Sequence, residues 1–262
     1  MGRYVTWSLD DAIATIIIDH PPLNILSPPV EAELAACVDA VAADDRARVV
    51  ILTATGDRAF MAGMDIREFP KLSEPGAAER MYAERNRIFN AFDRMPKATI
   101  VAVNGLCYGG GWELALCGDL VVACEHATFA MAGVKVGTFH GCGATIRLAR
   151  IVGEMKAKEL MYLGNPISAH EAAALGLVCR VVPVGQALAA ARALAAEIAS
   201  RPYGIIRAIK QAIDRSFEVS FDEALAYETE LLCRGFRSPD AREGYEAFFA
   251  KRPPRFSHAT FS

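Results

Sequence analysis

Ala102-Val103-Asn104-Gly105-Leu106-Cys107-Tyr108-Gly109-Gly110-Gly111-Trp112-Glu113-Leu114 is the most informative stretch of the chain. Apolar strand residues run into a turn of three successive glycines, and Glu113-Leu114-Ala115-Leu116 continues as helix. Glycine permits φ > 0 and lets a ligand approach the main chain with no Cβ in the way. The first N–H groups of a helix have no internal acceptor and lie at the positive end of its dipole, so a developing anion is favoured there. Glu113 follows Gly110 by one helical step and shares its face. A carboxylate there can take a proton from carbon beside that anion, or activate a water. The same residues also suit tight strand–helix packing and ordinary helix capping, so the stretch alone does not separate a ligand site from a structural turn.

Working outward, Thr99–Val103 and Val49–Thr53 are short, apolar and β-branched, the pattern of fully buried strands. Ile13–Ile18 is a third such run, ended by Pro21-Pro22. Leu120–Ala123, Phe129–Met131 and Val178–Val182 supply further strands. Ser27 before Pro28-Pro29 predicts the start of a helix through Val41, and a second helix is expected over about Ala78–Met95. Strands interleaved with helices imply an α/β layered core. After Ser200 the pattern is helical only, with helices expected over Tyr203–Ser216, Phe221–Phe236 and Asp240–Ala250. Ser168 with Glu171 and Ser220 with Glu223 read as capping boxes. Residues 1–200 are therefore expected to form the core and 201–262 a helical region.

A chain of 262 residues can bury one sizeable core. Its net charge of −3 and lack of a long basic run remove the footprint that nucleic-acid binding requires. No apolar run approaches a membrane span, and Met1–Asp10 resembles no targeting segment, so a cytoplasmic protein without membrane association is expected. The seven cysteines are odd in number and lie mostly in apolar segments, which reads as reduced thiols. No metal site is expected, since the histidines lack partner spacing, and no G-x-S-x-G elbow frames a serine nucleophile. The charged stretch Arg80–Arg94 reads as a solvated helix face.

A second glycine turn, Ala59-Phe60-Met61-Ala62-Gly63-Met64-Asp65-Ile66, follows another short strand and is placed to present a further free N–H. Ala-Phe-x-Ala-Gly-x-Asp-Ile followed by Ala-Val-Asn-Gly-x-x-x-Gly-Gly-Gly-x-Glu-Leu-Ala resembles the paired signature of the crotonase (enoyl-CoA hydratase/isomerase) superfamily. The resemblance extends through Pro22-Leu23-Asn24, Gly153, Ala169–Gly176 and Glu243-Gly244, and so covers nearly the whole chain. It implies a spiral of ββα units with a C-terminal helical region that assembles trimers, often paired as hexamers. It also implies an acyl-CoA substrate, the CoA thioester itself being the substrate, with no separate cofactor. By matching positions, the Met64 and Gly110 amides would hold the thioester oxygen and Glu113 would serve as acid/base. Leu23, Ala62, Asp65 and Ile66 fall where the family lines the CoA pocket. Phe248 and Lys251 match positions that reach a neighbouring subunit's CoA; by themselves they read equally as core packing and a solvated charge.

One position departs from the family pattern. Typical hydratases carry a second glutamate, and its place is taken here by Gly133, which cannot move a proton. His140 is the expected replacement, because imidazole titrates near neutrality and this one lies in the loop after the active-site strand, although the same position suits equally a loop histidine making a structural hydrogen bond; Lys135 and Tyr108 are weaker candidates. The segment Phe129–His140 is similar to that of methylmalonyl-CoA decarboxylase-like members, which lack the second acid. Three functions follow: an enolate-forming hydratase or isomerase, an acyl-CoA decarboxylase or C–C lyase, and a non-catalytic acyl-CoA-binding protein.

Overall fold

The computed structural model describes residues 2–261. Its strands are β1 (Val5–Asp10), β2 (Ile13–Ile18), β3 (Val49–Ala54), β4 (Ala59–Met61), β5 (Ala98–Val103), β6 (Leu106–Tyr108), β7 (Leu120–Cys124), β8 (Thr128–Ala130), β9 (Ile167–Ser168) and β10 (Arg180–Val182). The helices of the core are α1 (Pro28–Ala43), α2 (Phe69–Leu72), α3 (Ala77–Asp93), α4 (Gly110–Ala115), α5 (Ala144–Val152), α6 (Glu154–Leu163), α7 (Ala169–Ala174) and α8 (Ala187–Ala199). After them come α9 (Tyr203–Ser216), α10 (Phe221–Phe236) and α11 (Pro239–Phe249).

Two sheets result, one of six strands in the order β1-β2-β3-β5-β7-β10 and one of four in the order β4-β6-β8-β9. Each of the pairs β3–β4, β5–β6 and β7–β8 sends its first strand to the large sheet and its second to the small one, and a helix follows. These are the ββα units that the resemblance implies, wound so that the two sheets stack. β3 and β5 are buried throughout, because period-two alternation turns their side chains to both faces and both faces are covered. Val50, Leu52, Val101 and Val103 join the core shared with Phe60, Met61, Cys107 and Phe129 of the small sheet. Val49, Ile51, Ile100 and Ala102 face the other way, onto Ala187, Ala191, Leu194 and Ala195 of α8. The alanines of α8 let that helix lie close on the sheet.

Both capping boxes form, with Ser168 accepting from the Glu171 amide and Ser220 from the Glu223 amide. Ser27 occupies the N-cap of α1, yet its hydroxyl makes no capping bond; prolines fill the first turn, where an N–H would have no intrahelical acceptor. The strand β1 is an addition to the sequence reading: its alternation is masked by exposed polar residues, and it forms by antiparallel pairing with β2. No helix among the described residues is long and apolar enough to cross a membrane.

The stretch Arg80–Arg94 is not uniformly a solvated face, because Arg85 is only 2% exposed. It lies on the stripe of α3 that carries Ile88, Phe89 and Phe92 into the core. The cause is helical phase: Arg85 is one turn from Met81 and from Ile88, on the side that the core claims.

Candidate active site

The strands β4, β6 and β8 run parallel, with Met61 beside Cys107, Cys107 beside Phe129 and Tyr108 beside Ala130. The turns that leave their C-terminal ends therefore line up on one edge: Ala62-Gly63-Met64, Gly109-Gly110-Gly111 and Met131-Ala132-Gly133. Open carboxyl ends of parallel strands are a general location for ligand sites. Sequence-distant segments meet here because of the register of three very short strands.

The first two turns approach at backbone contact. A Cβ on Gly111 would lie 2.2 Å from the Met61 carbonyl oxygen, so only glycine lets α4 seat against the end of β4. Gly63 has φ +104° and Gly109 has φ +49°. A Cβ on Gly63 would lie 3.8 Å from the Gly110 nitrogen, and one on Gly110 would lie 3.8 Å from the Met64 nitrogen, so the two amides are neighbours. Among the described residues neither N–H donates to a backbone or side-chain acceptor. The groups around them are engaged. Gly109 N–H donates to Ala130 O at 2.9 Å, Glu113 N–H to Gly109 O at 2.8 Å and Leu26 N–H to Gly63 O at 2.9 Å.

The loop after β2 braces this arrangement. Ala62 N–H donates to Leu23 O at 3.0 Å, and buried Asn24 donates through Nδ2 to Ala59 O at 2.7 Å. Leu23 and Ala62 thus stand together beside the Gly63 turn. Asp65 and Ile66 follow on the outer side: Asp65 accepts from Arg67 Nε at 2.8 Å, which holds its carboxyl down at about 2, and Ile66 is exposed. The Asp65 carboxylate is committed to this local turn, and its neighbour Ile66 offers an apolar surface to solvent.

Glu113 is 5% exposed, and its Oε1 accepts from Gly141 N–H at 2.9 Å. Burial pushes its carboxyl above the usual range, while the Gly141 bond and the nearby Arg85 and His140 pull it down. The Gly141 donor comes from the loop between the helical turn Ala132–Val136 and α5, where Gly137, Cys142 and Gly143 all take positive φ. That loop brings His140 inward. Its ring is 7% exposed, and Nε2 has no hydrogen-bond partner among the described residues. A Cβ on Gly133 would lie 3.4 Å from His140 Cε1 and 3.5 Å from Nδ1. The imidazole thus occupies the neighbourhood of the missing second acid. The other two candidates are engaged elsewhere: Tyr108 Oη lies 3.0 Å from Thr128 Oγ1, and Lys135 donates to Asn165 at 2.9 Å.

Two residues of the site were missed from sequence. Arg85 donates to Glu31 of α1, and it lies 3.2 Å from Met64 Sδ through both Nη1 and Nη2. The available signal was the phase of Arg85 on the apolar stripe of α3. Glu31 carried no such signal, since an acidic residue in the first turn of a helix is ordinary. Trp112 is a core aromatic packed against Phe129, with ring centroids 5.7 Å apart. Phe248 and Lys251 are not brought to the site within the chain. They lie at the end of α11, which packs on α10; both are exposed, Phe248 at 78%, so Phe248 is not core packing in the single chain.

Comparison with known proteins agrees with this architecture. Residues 8–259 match the enoyl-CoA hydratase/isomerase family. The chain is 35% identical over 262 residues to the 1,2-epoxyphenylacetyl-CoA isomerase of Escherichia coli, covering 98% of this chain and 99% of that protein. It is 35% identical over 243 residues to a probable mitochondrial enoyl-CoA hydratase of Dictyostelium discoideum, covering 92% and 86%. A crystal structure of an enoyl-CoA hydratase from Geobacillus kaustophilus superposes with a TM-score of 0.93 at 31% identity, over 99% of this chain and 98% of the other. With a two-sheet ββα spiral, C-terminal helices and a family match spanning nearly its full length, the chain belongs to the enoyl-CoA hydratase/isomerase family, the crotonase superfamily.

Proposed function

We propose that the chain is an acyl-CoA enzyme that stabilises a thioester enolate between the Met64 and Gly110 amides, with Glu113 as its acid/base. The observation that carries this reading is the pair of adjacent, unengaged N–H groups beside a buried carboxylate. With the thioester oxygen between the two donors, the Cα–H bond breaks, its electron pair enters the enolate, and Glu113 takes the proton. Preorganised donors in a dry site are worth about 3 kcal/mol each to such a transition state. Leu23, Ala62, Asp65 and Ile66 border the CoA path in this reading, and His140 returns or accepts the second proton that Gly133 cannot carry.

A second reaction on the same scaffold is favoured by one specific observation, the glycine that stands at position 133 in place of a second acid. Decarboxylation or C–C cleavage needs the enolate stabilised but little water activation. There the bond to CO2 breaks, its electrons enter the enolate, and His140 or Glu113 protonates carbon. A non-catalytic acyl-CoA-binding role has less support, since binding alone gives no reason to keep a carboxylate beside the two amides. The assembly belongs to the same proposal: exposed Phe221, Phe236, Phe248 and Phe249 in residues 201–262 suit a homotrimer or a hexamer, in which Phe248 and Lys251 reach a neighbour's CoA.

The test is incubation with crotonyl-CoA, a 3-enoyl-CoA and methylmalonyl-CoA in deuterated water, with products followed by mass spectrometry. Deuterium at Cα of any bound thioester is the expected result. Binding without exchange or turnover on any of them refutes the catalytic reading.

A further inference from the structure

Arg85 is a buried guanidinium without enough acceptors. It presents five N–H donors, yet among the described residues the only oxygen it reaches is Glu31 Oε1; its other hydrogen-bonding contacts are the sulfurs of Met64 and Met81, which are weak acceptors. Its Nε is fully buried and has no partner among the described residues. A desolvated cation normally collects several hydrogen bonds, because each unmet donor retains its dehydration penalty. The pattern is that of a group built to receive an oxygen from outside the chain.

Its position says which molecule brings that oxygen. On one side Arg85 touches Met64 Sδ, the side chain of the residue whose amide neighbours Gly110. On the other, its guanidinium carbon lies 5.3 Å from the centre of the Tyr82 ring. That ring is packed so closely on Gly141 that a Cβ there would lie 2.5 Å from Tyr82 Cε1, and Gly141 is the residue that donates to Glu113. The guanidinium therefore closes a ring of contacts that runs through Met64 and Gly110 on one flank and through Tyr82, Gly141 and Glu113 on the other. Unpartnered His140 Nε2 is a second buried polar atom of this site. An aliphatic acyl chain would leave both without partners.

We infer that the acyl pocket selects a CoA thioester whose acyl group carries an oxygen acceptor beyond the thioester, a carboxylate or a carbonyl, and that Arg85 is the residue that reads it. The inference rests on the proposed placement of the thioester at Met64 and Gly110. Glu31 holds the guanidinium in position from α1, leaving its other edge for the substrate. A planar fork of this kind matches a carboxylate with two parallel bonds and a carbonyl with one.

The experiment measures dissociation constants by calorimetry for matched pairs in which methyl groups replace the oxygens: acetoacetyl-CoA against isovaleryl-CoA, and glutaryl-CoA against isoheptanoyl-CoA. Wild-type protein is expected to favour an oxygenated member by roughly tenfold or more, as suits a buried charge-assisted hydrogen bond. In Arg85→Met that ratio falls to about one. Where Arg85→Met fails to fold because Glu31 loses its partner, Glu31→Gln/Arg85→Met serves in its place, since removing both partners is better tolerated than removing one. A merely structural Arg85 would weaken all four thioesters alike and leave the ratio unchanged, which overturns the inference. So does a wild-type protein that binds the apolar members as tightly as the oxygenated ones. Failure to bind any CoA thioester would instead bring down the proposed function itself.

Discussion

Replacing Glu113 with glutamine isolates the proton-transfer role from everything else the side chain does. The Gly141 N–H bonds Oε1 at 2.9 Å, and a glutamine oxygen can accept the same bond, so the loop that carries His140 keeps its anchor. What is lost is the proton-accepting capacity, which in general acid–base catalysis accounts for roughly 10²–10⁴ in rate, or about 3–5 kcal/mol of barrier. Deuterium exchange at Cα of a bound thioester should slow by that factor while its dissociation constant changes little. Stability should move the opposite way. Burial raises the Glu113 pKa in the folded chain, so between the unfolded and folded values the folded state binds more protons, and wild-type stability falls as pH rises through that window. Below the unfolded value both states are protonated and no penalty exists. Glu113→Gln lacks this ionisation, so its melting temperature should exceed that of wild type near neutrality, with the gap closing on acidification. Unchanged exchange in the variant would remove Glu113 from the chemistry; a variant less stable than wild type at neutral pH would refute the electrostatic reasoning.

Three further outcomes follow from the same geometry. His140→Ala should lower turnover by roughly 10²-fold or more with thioester affinity largely kept, as expected for a lost proton carrier; full activity relegates His140 to a structural role. Gly111→Ala should destabilise the fold by about 3 kcal/mol or more in urea denaturation, because its Cβ would meet the Met61 backbone at 2.2 Å and neither strand end nor helix can give way; a stable, active variant would contradict the close approach of the two turns. Phe236→Asp, on an exposed face of α10, should shift the sedimenting species to lower mass, and a wild-type chain that sediments as a monomer would dismiss the assembly.

Much of the framework is written locally. The strand β2, the helices α9 and α10 and both capping boxes fall where periodicity and caps place them, because each signal is carried by residues within a few positions of one another. The glycine turns are legible for the same reason, as positive φ at Gly63 and Gly109 is a demand on single residues. Arg85 is not legible as a site residue because its charge obscures its helical phase, and β1 is not legible because its exposed face hides the alternation.

Sequence alone thus determined which segments are buried strands, where the chain must turn through glycine, and which carboxylate follows the turn. Tertiary structure alone decided the rest: that three turns align on one sheet edge, that His140 lies against Gly133, and that Arg85 from α3 meets Glu31 from α1 beside Met64. Those meetings depend on strand register and on helices crossing between segments far apart in the chain. No local pattern of hydrophobicity or propensity encodes which distant side chain will fill the space that another residue leaves.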